Sequence, residues 1–223
     1  VFAQYSKNAQ YSSISDILNP LVDYRLQNTN SSHIPGVVSL QRECFPEPFP
    51  IDSLWQATHI ENHLQLFPEG QFVVTLNSEV IASCTNMLIS LPDWQKHEPW
   101  EDATGGLALP NHNPAGTVLY GIDISVHPSH RNQGLAKILY NARFDLVKSL
   151  KLTKYGTVCR IPDFHLSKIL TITEYVNQVL NQSKTDRTLT PLLRMGLTYT
   201  GIIENYMHDE ESGNAGVILE WTP

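Results

Sequence analysis

The run Arg131-Asn132-Gln133-Gly134-Leu135-Ala136 has the make-up of a loop that holds phosphate. It follows a strand-like apolar stretch, Leu119 to Val126, and a His127-Pro128 break. It then opens a helical pattern over positions 134 to 150, in which Leu135, Ile138, Leu139, Ala142, Leu146 and Leu150 recur on one side. Gly134 lets the backbone approach a ligand. The first N–H groups of a helix lack partners and carry the positive end of its dipole, which suits a pyrophosphate beside Arg131. Lys137, Arg143 and Lys148 are expected to face solvent, and the G-x-G-x-x-G of a dinucleotide fold is absent.

A strand, a glycine turn and a helix need a sheet to hold them. Residues 1 to 34, rich in Ser, Asn and Gln, read as an arm or linker, and residues 35 to 223 as one domain. A first helix is expected through Val37 to Phe45, ending at the Pro-rich Pro46 to Pro50, and a second over Ser53 to Phe67. A hairpin follows, Gln71–Leu76 and Val80–Leu88. After it, Ser90 to Gly116 reads as a long loop of the kind that serves as a lid or binding loop. Lys154–Cys159 reads as a strand, about Thr173 to Asn181 as a helix, and Leu189–Met195 as a short helix capped by Gly196. Leu197–Asn205 and Ala215–Trp221 form a closing antiparallel pair. The fold class is α/β (α+β): a mixed, mostly antiparallel sheet of six to seven strands flanked by helices.

The chain has 223 residues, is 41% apolar and 17% charged, and carries a formal charge of −7, so one core of good size is expected and nucleic acid is disfavoured as a partner. Cys44, Cys84 and Cys159 lie far apart, which implies neither a disulfide framework nor a metal site and fits a reducing cytoplasm. No apolar run is long enough for a membrane span, and no signal peptide is visible. A start at Val1 fits a domain cut from a longer polypeptide with flanking domains.

The R-x-x-G-x-A spacing after an apolar strand and V-x-P resembles the acyl-CoA loop of the GNAT acetyltransferase superfamily, and the helix, helix, strand, strand order before it is similar. The strings Phe67 to Val73, Arg160-Ile161-Pro162-Asp163-Phe164, Leu193 to Leu197 and Leu219-Glu220-Trp221 extend the resemblance over roughly residues 35 to 222. They look like a branch that also includes malonyl-CoA decarboxylases and the GNAT-like loading domains of polyketide synthases. Two positions depart from it. Cys159 stands where the decarboxylase type has Ser or Thr. Leu192 stands where that type has His and where many GNAT enzymes place the Tyr that protonates the leaving thiolate.

The resemblance implies acetyl-CoA, or another short acyl-CoA such as malonyl-CoA, as co-substrate, with no metal. Backbone amides of Ile124, Ser125 and Val126 and the loop Arg131, Asn132, Gln133, Gly134, Leu135 and Ala136 would hold it. Asp123 would be the base that takes a proton from an amine, with the amide of Ile124 or Val126 as donor to the thioester carbonyl. His165, at the expected mouth of the cleft, belongs to a residue type that works as acid or base near neutral pH. Trp55 would wall the acceptor tunnel, Cys159 would lie near the thioester, and Arg160 or Arg194 would hold a carboxylate such as that of a malonyl group. The expected function is acetyl transfer to a small amine or a carrier-protein thiol by direct attack. The alternatives are a decarboxylating loading domain and a non-catalytic acyl-CoA-binding module.

Overall fold

The computed structural model describes residues 24–47, 49–167 and 169–223. Its strands are β1 (Tyr24–Asn28), β2 (Phe72–Leu76), β3 (Glu79–Ile89), β4 (Val118–Val126), β5 (Lys154–Cys159), β6 (Thr198–Ile203) and β7 (Gly216–Trp221). They make one sheet in the order β1-β2-β3-β4-β5-β7-β6, antiparallel except between β4 and β5. The helices are α1 (Ile34–Cys44), α2 (Ala57–Leu66), α3 (Leu91–Trp94), α4 (Trp100–Thr104), α5 (Leu135–Ser149), α6 (Ile172–Leu180) and α7 (Leu189–Arg194). Asn77 and Ser78 both take positive φ, the turn geometry that matches strand twist, and so close the β2–β3 hairpin. A parallel β4–β5 pair needs a crossover, and α5 supplies it.

The sheet separates two cores. Beneath α1 and α2, Ile34, Val37, Leu40, Trp55 and Ile60 pack with Val73, Met87 and Tyr120. Beneath α5, Leu135, Ile138, Leu139 and Leu146 pack with Val74, Ala82, Leu119 and Val217. Each fully buried aliphatic side chain stabilises by about 1.5–3 kcal/mol, so the helix that follows the glycine loop is fixed firmly to β4.

Four expectations are corrected. The stretch to residue 34 is more than an arm, because β1 pairs with β2 from Tyr24↔Leu76 to Asn28↔Phe72; residues 1–23 lie outside the described residues. The span from Ser90 to Gly116 holds α3 and α4 and packs down, with Trp94 buried and its Nε1 donating to Glu220 Oε1 at 2.6 Å. Arg143 does not face solvent: at 1% exposure it lies under the sheet, its guanidinium over the rings of Tyr140 and Tyr155. The second helix also starts later than its apolar pattern suggests. The Gln56 N–H bonds His59 Nδ1 in a capping box, which leaves Leu54 to Gln56 extended.

One irregularity shapes everything near the middle of the sheet. Asn86 pairs with Gly121 and Thr85 with Asp123, so Ile122 is an extra residue in β4. A bulge reverses which face later residues point to: Tyr120 and Ile122 belong to the α1–α2 core, whereas Ile124 and Val126 join the α5 core. Asp123 is thereby turned to the α1 side. β4 and β5 also part here, since their pairing stops at Gly121↔Thr157 while β4 runs on to Val126 and β5 pairs onward with β7. Gly121 allows the bulge to sit against β5, because a Cβ there would meet the Tyr155 hydroxyl at 2.0 Å. Gly121→Ala is therefore expected to lower stability in urea denaturation by about 1–3 kcal/mol. Adding Tyr155→Phe should return part of that loss, a coupling that unrelated sites would not show.

Candidate acyl-CoA site and acceptor cleft

The parting of β4 from β5 opens a slot whose wall is bare backbone. His127 N–H bonds Ile81 O at 2.9 Å, which sets the alternation of the β3–β4 ladder and sends the N–H groups of Ile124 and Val126 to the open side. At the end of the slot stands α5, whose N-cap is Gly134 at φ 84° and which no side chain caps. The N–H groups of its first turn remain free for an anion.

The loop before α5 is exposed and held by its neighbours. Arg131 Nε donates to Val126 O at 3.2 Å, and Asn132 takes φ 61°. Gln133 accepts a hydrogen bond from the Tyr24 hydroxyl at 2.6 Å and donates to Ser129 O. Tyr24, in the stretch read as an arm, therefore steadies the loop before α5. His127 pairs with Glu43 at the end of α1 and also contacts Ser129. Leu135 is buried and anchors the first turn of α5, with Ala136 beside it half-buried.

Asp123 lies on the other side of β4, under α1. Gln41 Nε2 donates to its Oδ2 at 2.9 Å and Ser125 Oγ at 3.2 Å, and the Trp55 side chain is a further donor. Burial raises its pKa to about 6; the hydrogen bonds from Ser125, Trp55 and Gln41 and the charge of Arg143 hold back the rise. Such a carboxylate is mostly ionised at neutral pH yet takes a proton readily, as a general base must. Beneath it, Arg143 Nη2 donates to the carbonyl oxygens of Asp123 and Thr85, pinning the bulge from the α5 side.

The remaining residues singled out in the sequence do not join this group. Cys159 is buried, and burial followed by the nearby Asp186 pushes its thiol pKa well up, so it makes a poor nucleophile. Arg160 already holds a carboxylate, that of Asp209, through two bonds of 2.6 Å, with Glu211 at 3.1 Å. Arg187 extends this network to Glu211 and Asp163. His165 is exposed on the loop after β5, its Nδ1 donating to Pro162 O at 2.6 Å, and no contact joins it to Asp123. Gln41 and Arg143 were not signalled as site residues. Arg143 does share the apolar face of α5 with Leu139 and Leu146, four residues before and three after it.

Near Asp123, the segment between α1 and α2 forms an open cleft of about 250 Å³ lined by Arg42, Ile51, Asp52, Leu54, Trp55 and Gln56. Trp55 is shared, since it lines the cleft and bonds Asp123. Among the described residues no group of three His, Cys, Asp or Glu side chains could hold a metal ion, and no helix is long and apolar enough to cross a membrane.

The raised pKa of Asp123 means that its ionisation opposes folding. Its protonated form is favoured in the folded chain, so the cost is absent below the ordinary carboxylate pKa and fully felt above about pH 6. Asp123→Asn keeps an acceptor for Gln41, Ser125 and Trp55 and should raise stability at pH 7 by about 2–3 kcal/mol. The gain should vanish near pH 4 in denaturation experiments.

Comparison with known proteins agrees with this architecture. Residues 34–164 match the model of the acetyltransferase (GNAT) family. The chain is 35% identical to YkwB, an uncharacterized N-acetyltransferase of Bacillus subtilis (strain 168), over 88% of this chain and 87% of that protein. It is 34% identical to YhcX, a probable hydrolase of the same organism, again over 88% of this chain but only 38% of YhcX. Among solved structures, the loading GNATL domain of CurA from Lyngbya majuscula superposes with a TM-score of 0.74 at 19% identity, covering 89% of this chain and 97% of that one. The GphF GNAT-like decarboxylase, solved with isobutyryl-CoA, superposes with 0.73 at 21%, covering 89% and 98%. With its parted β4 and β5, uncapped α5 and matching family model, the chain belongs to the GNAT acetyltransferase family of acyl-CoA-dependent transferases.

Proposed function

We propose that the chain moves an acetyl group from acetyl-CoA to an amine by direct attack, with Asp123 as general base. The observation that carries this reading is the placement of Asp123. It sits between the bare edge of β4, where a thioester would lie, and the cleft under α1 and α2, where an amine would enter. The pyrophosphate rests on the first turn of α5 and the loop from Arg131 to Ala136, and the pantetheine arm runs along Ile124 to Val126. The Ile124 or Val126 N–H donates to the thioester carbonyl as it gains negative charge. Asp123 accepts one proton from the ammonium group, the freed amine forms the new C–N bond, and the nitrogen gives up its second proton to water as the C–S bond breaks. Leu192 is buried and cannot donate, so the departing thiolate takes its proton from water at the open end of the slot.

A second reading is decarboxylation of malonyl-CoA with passage of the acyl group to a carrier-protein thiol, drawn from the likeness of fold to the GphF decarboxylase and the CurA loading domain. Cys159 and Leu192 at the two departing positions, and the engagement of Arg160 with Asp209, speak against it.

Mass spectrometry of the chain with acetyl-CoA, an amine panel and a phosphopantetheinyl carrier protein, and separately with malonyl-CoA, tests the choice. Acetyl on an amine supports the proposal. Acetyl-CoA formed from malonyl-CoA without an acceptor would replace it with the second reading. Bound acyl-CoA that undergoes neither reaction would mean a binding module. If Asp123 is the base, kcat/KM falls tenfold per pH unit below about pH 6. Asp123→Asn then loses roughly 10²–10⁴-fold in activity together with that acidic limb. Gly134→Ala, strained at φ 84°, should weaken acetyl-CoA binding about tenfold in calorimetry.

A further inference from the structure

We propose that the acceptor is a small amine that also carries a carboxylate, of the amino acid class, with Arg42 gripping the carboxylate and Asp52 facing the ammonium group. This rests on the amine-transfer reading above.

Several charged groups near the site are already paired. Glu43 pairs with His127, Arg160 with Asp209 and Glu211, and Arg187 with Glu211 and Asp163. Arg42 and Asp52 line one cleft with a buried floor of Leu54 and Trp55, yet among the described residues neither has an ion pair, and they do not pair with each other. Opposite charges held apart across a small cleft leave room for a ligand that bears both.

The cleft also leads to the chemistry. Gln41, next to Arg42 on α1, donates to Asp123, and Trp55 both lines the cleft and bonds that carboxylate. Trp55 and Gln41 therefore lie between the cleft that holds Asp52 and the Asp123 carboxylate. A guanidinium recognises a carboxylate through two parallel N–H bonds, and a site built for such a partner discriminates strongly against the analogue that lacks it.

The test compares kcat/KM, followed by CoA release, for amino acids and their carboxamides, with calorimetry of acetyl-CoA alongside. At least tenfold preference for the acid over its amide is expected, shrinking to within about twofold in Arg42→Gln and partly kept in Arg42→Lys. Asp52→Asn should lower kcat/KM for acid and amide alike. Equal use of acids and amides by the unaltered chain overturns the inference, as does a preference that survives Arg42→Gln. A variant that only raises the KM for acetyl-CoA overturns it too, since Arg42 would then serve the cofactor. In all three cases amine transfer itself stands. If acetyl-CoA binds but no amine of either set releases CoA, the amine-transfer reading falls and takes this assignment with it.

Discussion

The buried guanidinium of Arg143 is the contact on which the site depends. A bulged strand loses ladder bonds, and the carbonyl groups it exposes must find donors inside the protein. Arg143 supplies them to Thr85 and Asp123 from beneath the sheet, while Tyr140 and Tyr155 shelter its charge. With those carbonyls satisfied, β4 can leave β5 after Gly121 and turn Asp123 toward α1. The cofactor slot and the acceptor recess are two sides of that single distortion.

Much of the frame was legible in order, because long apolar patterns specify strands and helices on their own. β4, α5 and β5 are such segments, and the glycine loop between β4 and α5 needs little more than Gly134 to be recognised. β1 was not legible. Its five residues lie in polar surroundings and owe their conformation to the edge that β2 offers them. Arg143 was misread because charge was allowed to outrank position on the helix. Arg160 has its partner Asp209 49 residues away in sequence, and no local pattern could announce that the guanidinium is already engaged. The bulge at Ile122 is illegible for a similar reason, since it is a property of the pairing of β3 with β4 rather than of either strand.

Electrostatics in the site is local rather than global. On the proposed reading, a chain of net charge −7 would hold an anionic ligand with backbone N–H groups, one helix terminus and Arg131, none of which requires a basic surface. The same restraint appears around Asp123, where neutral donors from Gln41, Ser125 and Trp55 keep a sheltered carboxylate ionisable without a salt bridge that would quench its basicity.

The ionic cluster after β5 and the segment between α1 and α2 are built on unlike terms. On the β5 side, Arg160, Asp209, Glu211, Arg187 and Asp163 form a closed ionic clasp, and a change at any one leaves a charge stranded for the others. On the α1–α2 side, Ile51 and Asp52 sit exposed on a 3-10 turn, and exposed Gln56 follows after a short extended stretch. Substitutions at those exposed positions disturb fewer paired charges than changes in the clasp. A lineage carrying this frame can change what it acts upon by small steps, each a viable protein.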